Sequence, residues 1–359
     1  MPNRSRELFG SVSIAFARLP MPVFRKRDLT LVVGIMVVSW GSSVPADAKP
    51  TYTTFDPPGS TNTIATCISN SVIAGYYGDN DGGHGFVRAA DGTITTFDAF
   101  GTHGTQVSSI DTRGTIAGYY SDDNGILHAF VRATNGTITT FDPQGSGGTV
   151  ATSINKGTIT GYYGDSNGLV HGFARAAGGT ITTFDPSGSN YTYPTGINPA
   201  GGIAGYYKDS FFDPTHGFVR AIDGTFTTFD PSRSISTYTT SINKDGVIAG
   251  DYQDGNSVYH GFVRAADGTI TTFDPAGSIQ TYALSIDNRD AITGYYLDNG
   301  GYQHGFVRQH GGRIKAFDPP GSNLTNPFGI DSGKDSGKDS GAIAGFYQDT
   351  QFHGFLRTP

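Results

Sequence analysis

The chain has 359 residues, with 24 Lys or Arg against 31 Asp or Glu and a formal net charge of −7. Residues 49–359 are more acidic still, with 18 basic and 28 acidic side chains, and every acidic one is Asp. That balance argues against nucleic acid and anionic membrane surfaces as partners, since both need clustered positive charge.

Residues 1–48 stand apart from everything after them. A basic run, Arg25-Lys26-Arg27, precedes the apolar stretch Leu29–Trp40, and a VPADA segment then places Ala46 and Ala48 at the small-residue positions of a cleavage site. This is the pattern of a secretory signal peptide. The apolar run is shorter than the roughly 20 residues that cross a bilayer. Cleavage near Ala48 is therefore expected, releasing residues 49–359 as a single monomeric domain, secreted or held in the periplasm or at the cell surface, with no membrane insertion. Cys67 is the only cysteine, so the domain must be held by its core rather than by an intrachain disulfide.

The first element after the leader is an orphan, TYTTFD at Thr51–Asp56. Behind it lie seven copies of one pattern. A Phe-Asp pair recurs at Phe55, Phe97, Phe141, Phe184, Phe229, Phe273 and Phe317 with a period of 42 to 45 residues, and a His-Gly/Ala-Phe triplet recurs beginning at His84. Repeats of this length, each with four short runs rich in β-branched and aromatic residues, are the mark of a β-propeller blade. In the second copy the spacing predicts strands at Val107–Ile110, Thr115–Tyr120, His128–Arg132 and Thr137–Phe141, with Gly-containing turns between them. The last copy stops at His353–Arg357 with no TITTFD behind it. The fold expected is thus all-β, a seven-bladed β-propeller of four-stranded blades, with its ring closed by the N-terminal strand joining the C-terminal three. Near its end, the run DSGKDSGKDSG at Asp331–Gly341 is a tandem duplication expected to form a surface loop.

The triplet stands as His128-Ala129-Phe130 in the second copy and as His-Gly-Phe in the other six. In this the chain resembles the bacterial HAF family of extracellular repeats over about residues 51–359. The resemblance implies an exported repeat protein and carries no chemistry over to particular residues.

Two classes of repeated or near-repeated residue are candidates for function. In HGFVR, Phe86 is expected to pack between blades, with Arg88 and its equivalents as interblade hydrogen-bond donors. The histidines His84, His128, His171, His216, His260, His304 and His353 close a loop that Asp79, Asp122, Asp165, Asp209, Asp254, Asp298 and Asp349 open, and hydrogen bonds between them are expected to pin that loop. DNDGG at Asp79–Gly83 and DDNG at Asp122–Gly125 resemble calcium loops without the closing Glu. Calcium is therefore the one cofactor in question; no other cofactor and no catalytic residue is indicated.

Unshared residues are the better place to look for a ligand. Copies four to six carry Tyr193, Tyr238 and Tyr282 where the first three have Ile64, Gln106 and Val150, and Phe211, Phe212, Tyr259, Tyr302 and Phe352 fall in loops expected on the same face. Flat rings beside short polar acceptors suit a carbohydrate or protein ligand. A glycan-active hydrolase or lyase using Asp carboxylates is the alternative, although GxSxG, HExxH and CxxC are all absent. A passive surface or adhesive scaffold is the third reading.

Overall fold

β-Branched and aromatic runs cut by Gly, Asn and Asp turns favour strands throughout the repeats, and the residues described form 28 strands and no helix. The computed structural model describes residues 49–100, 103–332 and 341–359. The expected signal peptide and most of the DSGK run lie outside these residues. Repeat 1 consists of Asn62–Ser69, Val72–Gly78, Gly83–Arg88 and Ile94–Phe97, each pairing antiparallel with the next. The third and fourth strands turn through Gly92 at φ 93°, a conformation that side chains rarely adopt. Repeats 2 to 6 copy this order.

Repeat 7 has only three strands of its own. Its third, Phe352–Thr358, pairs antiparallel with the N-terminal strand Thr51–Phe55, in register from Thr51 opposite Thr358 to Phe55 opposite Gly354. Asp56 Oδ2 then lies 2.7 Å from His353 Nδ1, and the buried Phe55 ring meets Phe86 of repeat 1 edge-on at 5.9 Å. Single parallel bridges link neighbouring repeats, among them Val170 to Tyr191, Gln303 to Leu324, and Phe352 of the last repeat to Asn62 of the first.

The core lies between repeats. The third-strand rings Phe86, Phe130, Phe173, Phe218, Phe262, Phe306 and Phe355 are fully buried. Phe130 packs edge-on to Phe97 of the preceding repeat at 6.1 Å, and Phe173 does the same to Phe141 at 5.9 Å. Each such burial contributes roughly 1.5–3 kcal/mol. The arginines two residues on were expected to donate hydrogen bonds between blades, but the carbonyls that Arg220 and Arg264 reach, those of Ala221 and Ala265, belong to their own repeats. Arg88, Arg132, Arg175, Arg220, Arg264, Arg308 and Arg357 instead stack over the Phe of the preceding fourth strand, at 4.7 Å for Arg175 on Phe141 and 5.1 Å for Arg88 on Phe55. Their Nε atoms have no hydrogen-bond partner among the described residues. The ring face under the guanidinium supplies the attraction that a carbonyl would otherwise give.

First strands are longer than the alternation predicts: that of repeat 2 runs His103–Ile110. A register shift interrupts each of them, between Ala65 and Cys67 in repeat 1 and between Ala151 and Ser153 in repeat 3. The extra Thr has a use. Thr66, Thr152 and Thr240 each donate a hydroxyl hydrogen bond of 2.8 Å to a carbonyl of the next repeat's first strand, at Val107, Pro194 and Ala283. The bulge turns a polar side chain sideways, so adjacent repeats are tied at their first strands as well as through their aromatic cores.

Candidate functional site

The repeated His and Asp residues form one ladder of contacts. His84 Nδ1 lies 2.7 Å from Asp98 and its Nε2 lies 3.0 Å from Asp79. The same double contact recurs at His128, His171, His260, His304 and His353, where Nε2 stands 3.3 to 3.7 Å from Asp122, Asp165, Asp254, Asp298 and Asp349. Repeat 4 differs. His216 keeps Asp230 at 2.8 Å, while Asp209 uses its backbone carbonyl to accept from Asn190 Nδ2.

Electrostatics follow from those contacts. The hydrogen bond to Asp142 raises the His128 pKa above its ordinary value. At His84, His304 and His353 burial works to lower the pKa and the paired carboxylates outweigh it. Asp79, Asp122, Asp165, Asp254, Asp298 and Asp349 are held below the usual carboxylate range, first of all by N–H groups of their own loops. In repeat 2, for example, Asp122 Oδ1 accepts from the N–H of Asn124 at 2.9 Å and of Ile126 at 2.8 Å. No group of three or more His, Cys, Asp or Glu gathers as a metal site among the described residues.

The aromatic candidates divide. Tyr193, Tyr238 and Tyr282 stand in the first strands Tyr191–Ile197, Ser234–Ile242 and Ser278–Ile286, in register with Tyr206, Asp251 and Tyr295 of the second strands. Their rings join into a chain. Tyr162 meets Tyr193 at 5.1 Å, Tyr193 stacks on Tyr206 at 5.1 Å, and Tyr206 meets Tyr238 edge-on at 5.3 Å. Tyr259 then sits between Tyr238 at 6.1 Å and Tyr282 at 5.0 Å, and Tyr282 stacks on Tyr295 at 4.7 Å. The offset and edge-on arrangements are those that aromatic quadrupoles favour.

The other four rings are not brought to this chain. Phe211 packs on Tyr191 and Phe212, with Lys208 Nζ 4.6 Å above its ring, and Phe212 is 93 % exposed. Tyr302 is also exposed, and Phe352 packs edge-on to Phe346 at 5.3 Å.

Along the tyrosine chain opens a cavity of about 580 Å³. Its walls include Tyr206, Tyr238, Tyr259 and Tyr282, with Leu284 and Phe328 from the first strands of repeats 6 and 7. Thr195, Thr239 and Thr240 add hydroxyl groups, and Asp251 adds the one carboxyl. Burial pushes the Asp251 pKa well above the usual range and raises the Tyr206 phenol. Asp251 and Tyr206 are the residues that the search for unshared loop aromatics passes over. Asp251 does leave a mark in the sequence, because six copies place an aromatic before the second Tyr and the fifth reads Gly250-Asp251-Tyr252.

No protein-family profile and no curated protein matches the chain. Solved structures do. Virginiamycin B lyase from Staphylococcus aureus, in an inactive form with quinupristin, aligns with a TM-score of 0.56 at 12 % identity, over 87 % of this chain and 100 % of that one. The β-propeller domain of the trilobed protease from Pyrococcus furiosus, which has an open velcro topology, aligns with a TM-score of 0.60 at 8 % identity, over 83 % and 95 %. The chain folds as a β-propeller. Puromycin hydrolase gives a TM-score of 0.57 at 11 % identity over 83 % of the propeller and 53 % of the hydrolase chain. At these identities the likeness is one of fold, and the activities of these proteins stay with them.

Proposed function

We propose that this chain is an exported seven-bladed β-propeller of the HAF type, closed into a ring by its N-terminal strand, that binds a carbohydrate or protein ligand in the tyrosine-lined cavity. Closure is supported by the pairing of Thr51–Phe55 with Phe352–Thr358, which gives the last blade the fourth strand that it lacks. Export is supported by the leader pattern of residues 1–48. The binding reading is carried by one observation: four tyrosine rings from three consecutive repeats converge on a single cavity. Residues shared by all the repeats build the scaffold, while Tyr238, Asp251, Tyr259 and Tyr282, which depart from the repeat, give the hollow its particular walls.

A glycan-active enzyme remains the second reading, because a buried carboxyl in a cavity is where acid–base chemistry is found. Hydrolysis of a glycosidic bond uses two carboxyl groups. The cavity walls supply only Asp251, which favours binding over turnover.

A glycan and peptide array probed with the exported chain tests the site. Loss of bound features in a Tyr193→Ala/Tyr238→Ala/Tyr282→Ala variant that still melts cooperatively is expected. Unchanged binding in that variant rejects the cavity, and release of cleaved sugar from the array promotes the enzyme.

A further inference from the structure

We infer that the cavity selects an alkylated ammonium cation, held over the tyrosine faces with Asp251 as its counter-charge. The inference deepens the binding reading and rests on it for the cavity. It begins with the exception in the repeat. Tyr76, Tyr119, Tyr162, Tyr206, Tyr295 and Phe346 occupy the position that Asp251 takes in repeat 5, and only there does a carboxyl replace a ring.

Asp251 lies in the second strand Ile248–Asp254, opposite Tyr238, and is 6 % exposed. It makes no hydrogen bond and no ion pair among the described residues, and no Lys, Arg or His lines the cavity to compete for it. A buried carboxyl without a partner is unfavourable, and a cationic ligand removes that penalty. The walls specify which cation. Tyr206, Tyr238, Tyr259 and Tyr282 present ring faces and edges, and Leu284 and Phe328 present only hydrocarbon. A bare ammonium group would want several hydrogen bonds from such walls, and the hydroxyls of Thr195, Thr239 and Thr240 are already engaged with one another or with the carbonyls of Ala204, Ala249 and Ala283. A methylated one wants aromatic faces and a single negative charge, which is the chemistry of an aromatic cage.

Burial raises the pKa of the Asp251 carboxyl well above its usual range. A cation entering therefore displaces a proton, and affinity rises with pH. The other titratable groups facing Asp251 are the phenols of Tyr206, Tyr238, Tyr259, Tyr282 and Tyr295, none of them cationic.

Calorimetric titration of the exported chain with choline chloride tests this against 3,3-dimethylbutan-1-ol, which has the same shape without the charge. Choline is expected to bind about tenfold or more tightly than the alcohol, and Asp251→Asn to erase that preference. A trimethyl-lysine peptide in a parallel titration shows whether the favoured source is a small amine or a protein side chain. Failure of choline to bind, or equal affinity for choline and the alcohol, overturns the inference. If array ligands still bind in a tyrosine-dependent way in that case, the binding reading stands without it. If nothing binds through the tyrosines, both fall.

Discussion

Deletion of Thr51–Asp56 from a chain of residues 49–359 is expected to collapse its cooperative melt, or to lower the denaturation midpoint far enough that the protein is partly unfolded at 37 °C. The segment is only six residues long, yet it supplies the strand partner of Phe352–Thr358, the Asp56 contact to His353, and the buried Phe55 ring that sits against Phe86 and beneath Arg88. Losing a buried Phe by itself costs about 3–5 kcal/mol. Orphaning a strand edge adds unpaired backbone groups at the point where another chain would attach. Against a total stability of about 5–15 kcal/mol for a typical domain, the sum is most of what there is. Urea melts of the full and shortened chains, followed by circular dichroism, give the comparison. Coincident midpoints would mean that the segment is not part of the folded ring.

Asp251→Asn is expected to stabilise the propeller, and by more as the pH rises. Burial raises the folded-state pKa of Asp251 above its unfolded value. Between those two values the unfolded chain gives up the proton and the folded chain keeps it, so stability falls with increasing pH. Below the unfolded value, about 3.9, the two proteins should melt alike. Each pH unit above it costs the parent about 1.4 kcal/mol until the folded-state pKa is reached, and the amide pays nothing. Melts at several pH values from acid to mildly alkaline would show the two curves diverging upward. Parallel curves would mean that Asp251 finds a partner or water that keeps it ionised. An unfavourable carboxyl retained at the wall of a cavity is what a site that sacrifices stability for recognition looks like.

The repeat itself was legible because its signals are local. Phe-Asp at the end of each fourth strand, His at the start of each third, and Gly in each turn give the strand order and the period without any tertiary knowledge. The orphan TYTTFD was legible for a different reason: a count of strands came out one short at the end of the chain. Contacts made across repeats were not. Whether Arg88 meets a carbonyl or the Phe55 ring depends on how two repeats are set side by side, which no spacing within one repeat encodes. The bulged threonines escaped for the same reason, since a period-two reading of strands has no place for an extra residue.

Among the site candidates, those that converge are the three on first strands and Tyr259, which opens the third strand of repeat 5. The rings of Tyr193, Tyr238 and Tyr282 join through Tyr206 and Tyr259. Phe211 and Phe212 sit in a longer loop of repeat 4, and their direction is set by Lys208 and Tyr191 rather than by the repeat. Asp251 was hidden by company: with 27 other Asp in residues 49–359, one more looks ordinary until its place in the strand register is known.

The proposed ring closure is tested most directly by a Thr51→Cys/Thr358→Cys pair. The two residues are 307 apart in sequence yet stand directly opposite each other in the antiparallel pair, where Cα atoms lie about 4.5–5.5 Å apart and within a disulfide's reach. Cys67 should not interfere, because burial pushes its thiol up to about 12. After mild oxidation, mass spectrometry of a proteolytic digest should find the first and last peptides of one monomer joined. Free thiols at both positions, or disulfides formed only between separate molecules, would contradict the closed ring.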